Sequence, residues 1–239
     1  MSGIMIKTSA GALAAAALLV LAPQAQAQPI YHPPAGQDVQ GVWLIQAPAG
    51  ALKTLEGQLP PLKPEAAKVY KDHLAARKAG KPDFDTIQAC MPHGFPRILF
   101  ANYPIQILQE PKQVTFIHEV HHMPRLVFLD AQPLKPEDRD QNWMGVSTGR
   151  WDGDVLVVQT AGFNDKTVLD AAGLPHSVDM EVTEHIRKTD ADTLEDVITI
   201  HDPKTYARDW SAKAVFKRQS GRRIQEYVCT DSNPEIAQK

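Results

Sequence analysis

TFIHEVHHMPRLVFL, residues 115–129, decides the fold, because it can be read in two incompatible ways. Its letters His118-Glu119-Val120-His121-His122 fit H-E-x-x-H, in which two histidines one helical turn apart bind zinc and the glutamate serves as base. That chemistry requires a helix. Residues 113–121 are instead rich in valine, threonine, phenylalanine and isoleucine, which favour strands, and Pro124 stands where a zinc-binding helix would have to continue. Read as a strand over 114–121, the segment puts His118 and His122 on one face. At about 3.3 Å per residue they are roughly 13 Å apart, too far to share a zinc through bonds of about 2.1 Å. The reading implies no metal.

The same period of two recurs on both sides. Strand-like runs are 41–45, 105–109, 125–129, 154–160, 180–188, 193–201, 211–218 and 222–229, with turn signals at 151–154, 190–192 and 219–221. One helix is predicted over 64–79, with Pro64 at its first position, Glu65 in its first turn and Gly80 past its end. Ala66, Val69, Tyr70, His73 and Leu74 form its apolar face, which makes His73 structural or solvated. Short strands in mostly hairpin order predict a mainly β fold: an antiparallel, lipocalin-like (calycin-type) barrel with one amphipathic helix.

The amino-terminal segment reads differently. Lys7, an apolar run and Ala25-Gln26-Ala27 form a secretory signal cleaved before Gln28, which leaves 28–239 as a single barrel domain exported to the periplasm. The apolar run is too short to span a membrane, and no membrane is expected after cleavage. The net charge is −3 with both signs interspersed, so nucleic acid is not an expected partner. Oligomeric state is not legible. The two cysteines, Cys90 and Cys229, lie far apart, and in an oxidising compartment a disulfide is expected, contributing about 4–5 kcal/mol on the chain-entropy reckoning. The alternative is two buried, unpaired thiols.

Polar side chains on apolar strand faces are the candidates for chemistry. Glu119 alternates with Thr115 and Ile117, His118 with Phe116 and Val120, and Glu184 with Val182 and Ile186. His176, in Pro175-His176-Ser177, and Tyr103, before Pro104, are placed to cap a barrel mouth. Glu119, Glu184, His176 and Tyr103 are therefore the candidate proton carriers. Arg97, Arg125 and Arg150 are the candidate anchors for a carboxylate ligand, although the commoner use of such an arginine is an ion pair with Glu119 or Glu184. No Gly-rich phosphate loop or dense Cys/His set is present.

The stretches CMPHGFPR (90–97), GRWDGDVLVVQTAGFNDKTVLDAAGLPHS (149–177), VTEHIRKTDADTLED (182–196), DPKTYARDW (202–210) and EYVC (226–229) resemble an exported bacterial family. Some of its members are linked to breakdown of lignin-derived dimers. Glu119 follows the family pattern, whereas His118, His121 and His122 depart from it. The resemblance implies aromatic compound catabolism by a lyase that decarboxylates a phenylcoumaran-type (dehydrodiconiferyl-type) aromatic acid without a cofactor. Phenolic acid decarboxylases, which are lipocalin-like barrels, are an architectural parallel. The other reading is a non-catalytic carrier of a small apolar or aromatic ligand.

Overall fold

A computed structural model describes residues 31–133, 135, 138 and 140–232, which fold as one unit. The expected signal segment, 1–27, lies outside the described residues. The strands are β1 (Gly41–Ile45), β2 (Ile105–Glu110), β3 (Gln113–His118), β4 (Pro124–Leu129), β5 (Val146–Asp152), β6 (Val155–Ala161), β7 (Glu181–Asp190), β8 (Thr193–His201) and β9 (Trp210–Arg218). They pair in sequence order into a closed barrel, with β9 returning to β1. All neighbours are antiparallel except β4 and β5. The mainly β, lipocalin-like barrel is as expected, and the one departure from antiparallel pairing has a topological reason. Strands that alternate in direction around a closed ring must be even in number, so nine strands require a parallel pair. The β4–β5 pair is the parallel one, as the long link between these two strands allows.

Three of the strand predictions need correction. β5 is absent from the sequence reading because Gly149 and the following Trp-Asp-Gly-Asp look like a turn. Its glycine is required by packing, since a Cβ at Gly149 would sit 2.7 Å from Val127 Cγ1 on β4. β3 stops at His118 rather than at 121. Its last partners are Ile105 and Pro124, and the ladder ends there because Pro104 and Pro124 offer no N–H on either side. Residues 222–228 are irregular instead of strand, because the β9–β1 pairing has already closed the sheet and leaves no edge for a further strand.

The helix α1 (Pro64–Lys78) forms as expected, but only Tyr70 of its face is buried, and Val69 and Leu74 are each 42% exposed. His73 packs on Phe84 and contacts the Gly173 carbonyl at 2.7 Å, a structural role. A second, single-turn helix, α2 (Cys229–Ser232), ends the described chain, and a disulfide joins Cys229 to Cys90.

The two ends of the barrel differ. Tight turns join β2–β3, β5–β6 and β7–β8 at the lower end, whereas the connections 119–123, 162–180 and 202–209 gather at the upper end. Functional groups belong where such loops converge on a rigid frame. Between the ends the interior is filled. Inward residues such as Trp43, Phe116, Leu156, Ile186, Ile198 and Phe216 are almost fully buried, and the segment 94–100 inserts Phe95, Ile98, Leu99 and Phe100 as a plug. The space left between Trp43, Leu99, Phe116 and Asp196 is about 10 Å³, the limit for one water.

Candidate active site

Strand alternation places Arg125 and Glu184 inside the barrel, where they form a paired unit. Arg125 Nη1 donates to Glu184 Oε1 at 2.8 Å, Nη2 donates to the second oxygen, and Nε and Nη2 also reach Ser147 Oγ (2.9 Å) and Thr160 Oγ1 (2.8 Å). The guanidinium lies 3.9 Å from the Phe95 ring centroid, so a planar face and four of its five N–H donors are in use. Beside this pair Asp196 is fully buried. Burial and the Glu184 charge push its carboxyl well above the usual range, which favours its neutral form, and its Oδ1 has no hydrogen-bond partner. These residues form a core network rather than a substrate site.

The upper mouth is different. His118 points inward from the end of β3, with neither ring nitrogen paired. Burial, the Arg125 charge and His93 together bring its pKa down to about 3. His93, between Pro92 and Gly94 at the head of the plug, is also brought to about 3, first by burial and then by Arg97 and His121, against the opposite pull of Asp85. Its Nδ1 is buried without a partner. The His121 ring stands 5.0 Å from that of His93 and 5.3 Å from Tyr227, and its own Nε2 is buried and unpaired. Tyr103 meets Tyr227 edge-on at 5.4 Å.

Backbone strain aims two of these rings. After β3, His121 and His122 take φ of 58° and 49°, the left-handed region, at a cost of about 1–2 kcal/mol per non-glycine residue. The turn directs His121 toward His93 and sends His122 to the carboxy-terminal segment. Thus the H-E-x-x-H letters span a strand end and a strained turn, and the two histidines of the motif diverge. Among the described residues, no group of three or more His, Cys, Asp or Glu side chains is arranged to hold a metal ion.

Arg97 is close to His93 and lines a pocket of about 90 Å³ with Ala49, His93, Phe100, Ala101 and Ala171. Its Nη1 and Nη2 both donate to Asp85, at 2.9 Å each. Burial alone would raise the Asp85 carboxyl, but the hydrogen bonds and charge of Arg97 outweigh it and hold it low. The other sequence candidates lie elsewhere. Glu119 accepts from the Gln225 backbone N–H at 2.9 Å and pairs loosely with Arg222. His176 contacts Thr167 Oγ1 at 2.9 Å and the Ser177 carbonyl at 3.0 Å, within the 162–180 connection. Arg150 is exposed and lines a groove of about 350 Å³ on the outside of β5 and β6. The candidates therefore do not share one cavity: Arg97 and Tyr103 belong to the mouth, and Arg125, Glu184, His176 and Arg150 do not. The sequence reading missed His93, His121 and Tyr227 as site residues. The signal for His93 was its rigid Pro-His-Gly setting four residues before Arg97.

The neutral histidines leave a pH signature. A ring with a folded pKa of about 3 and an unfolded value of about 6.5 favours the fold while neutral, so its contribution is complete above pH 6.5 and is lost as pH falls toward 3. Between pH 6 and pH 4, His118 alone should cost about 1.4 kcal/mol per pH unit. His118→Phe, placing an aromatic ring among Phe116 and Val120, should remove that part of the slope. Urea midpoints of both proteins at pH 7 and pH 4.5 check this, and equal slopes would refute it.

No family model, curated protein or solved structure matches the chain.

Proposed function

We propose that this protein is an exported, periplasmic, cofactor-independent lyase that decarboxylates a phenolic aromatic acid of the phenylcoumaran type at the upper mouth of the barrel. The observation that carries the reading is the pair of imidazoles at the mouth with buried, unpaired nitrogens, His93 and His121, set beside Arg97 and ringed by Tyr103 and Tyr227, with the unpaired His118 beneath them inside the barrel. Buried polar atoms are ordinarily satisfied, so two such rings side by side at the mouth suit groups that await a ligand. The Cys90–Cys229 disulfide is compatible with an oxidising compartment, and no helix among the described residues is long and apolar enough to cross a membrane.

The chemistry asks for an anion anchor and a mobile proton. Deprotonation of the para-hydroxyl group of the substrate lets the ring expel the ether oxygen as a phenol, which leaves a quinone methide. Loss of CO2 then returns an electron pair to the ring and forms the stilbene double bond. Arg97, through the N–H groups not committed to Asp85, holds the carboxylate, while His93 and His121 move the protons. Burial first, and the Arg97 charge after it, keep His93 neutral; the incoming negative charge opposes the Arg97 part and so raises its basicity where a base is needed. Tyr103 and Tyr227 offer ring edges to the aryl group. The close packing of the interior favours the lyase over a lipocalin-type carrier, since the space between Trp43, Leu99, Phe116 and Asp196 is about 10 Å³.

The test is to incubate the purified protein with a panel of phenylcoumaran carboxylic acids and follow CO2 release and stilbene absorbance. Turnover is expected, and His93→Gln should lower it by roughly 10²-fold. Tight binding of these acids without conversion would overturn the lyase reading in favour of a carrier. Full activity of His93→Gln would remove the site from the mouth.

A further inference from the structure

The pocket at the mouth is too small for the substrate class proposed for it. About 90 Å³ accommodates a carboxylate or the edge of a ring, whereas sites for ligands of that size run to about 300 Å³ or more. Something must move, and the carboxy-terminal segment 222–228 is built differently from everything else at this end. It is irregular, mostly exposed, and carries Tyr227 onto His121 and Tyr103. Among the described residues, no backbone hydrogen bond joins 223–228 to a strand.

Its two ends are fastened. At one end Gln219 N–H donates to the Val42 carbonyl of β1 and Gly221 turns the chain at φ 75°; at the other Cys229 is bonded to Cys90, three residues before His93. The middle hangs on two side chains from the strained turn after β3. Glu119 Oε2 accepts from Gln225 N–H at 2.9 Å, and His122 Nε2 accepts from Tyr227 N–H at 3.1 Å. The Gln225 carbonyl lies 3.0 Å from the same His122 nitrogen. One nitrogen facing a donor and an acceptor serves only one of them in either protonation state. The hold is thus weak by construction, and fastened ends keep the entropy change of opening small.

We propose that residues 222–228 are a strap-like lid, fastened at both ends, which bows away from Glu119 and His122 to admit an aryl carboxylate to the histidine cleft. The proposal rests on the cleft being the site argued above. Its test needs no turnover. Diethyl pyrocarbonate acylates accessible neutral imidazoles, and peptide mass mapping of the full-length, oxidised protein reads each histidine separately. Loosening the strap with Glu119→Ala together with His122→Ala should raise the acylation rate of His121 at least tenfold. His118, inside the barrel, stays protected and so reports that the barrel itself is intact. Glu119→Gln alone retains an acceptor for Gln225 N–H and should stay near the wild-type rate. An unchanged His121 rate in the double variant, or His121 and His118 gaining together, would overturn the lid. If His121 is released as expected but no phenylcoumaran acid is converted, the lid stands and the proposed reaction falls.

Discussion

Replacing Arg125 with methionine is expected to destabilise the barrel by about 3–5 kcal/mol, the usual cost of removing one partner of a buried ion pair. The reason lies in what the change leaves behind. Glu184 is fully buried and has Arg125 as its ion-pair partner, while burial and the Glu184 charge already push the neighbouring Asp196 carboxyl well above the usual range. Ser147 and Thr160 lose a donor at the same time, and Phe95 loses the guanidinium beneath its ring. The double variant Arg125→Met with Glu184→Met should recover most of the loss, because it removes both charges and keeps comparable volume. Urea denaturation of the two singles and the double forms a cycle that isolates the pair. A loss below about 1 kcal/mol in Arg125→Met would show that the interior tolerates an unpaired carboxylate, contrary to the packing seen.

Loss of the Cys90–Cys229 bridge should be of similar size. The cysteines are 139 residues apart, and a loop of that length removes enough freedom from the unfolded chain to stabilise the fold by about 4–5 kcal/mol on the chain-entropy relation. Against a typical total of about 5–15 kcal/mol, the reduced protein would stand near its unfolding threshold. The bridge also holds the end of the strap, so reduction frees Tyr227 from His121. Urea midpoints with and without a reducing agent, beside a Cys90→Ser, Cys229→Ser variant, measure the effect. A loss under about 1 kcal/mol would mean that the tail contributes little to constraining the unfolded chain.

Much of the barrel was legible because strand periodicity is local. The predicted 41–45 and 193–201 coincide with β1 and β8, and the lower hairpins fall at Asp152–Asp154 and Asp190–Asp192 as their turn residues imply. Alternation also put His118 on one face with Phe116, and Glu184 on one face with Val182 and Ile186, and the structure turns those faces inward. The candidate site was less legible. Arg97 and Tyr103 were named for their turns, but Tyr227 lay in a segment read as a strand, and His93 had no periodic neighbour to mark it.

Local chemistry along the chain therefore determined the strand period, the helix at Pro64, the rejection of the zinc-helix reading at residues 118–122 and the pairing expected of Cys90 and Cys229. Tertiary structure alone decided the rest. Closure of nine strands forced the parallel β4–β5 pair, and with no edge left over it turned residues 222–228 from a strand into a strap. Whether a charged residue is substrate-facing or core-paired depends on which strands meet across the barrel. That is why Arg125 found Glu184 across the interior while Arg97 found Asp85 at the mouth. Side-chain period is a property of each strand by itself, whereas ion-pair partners, orphaned imidazoles and covers are properties of the closed ring.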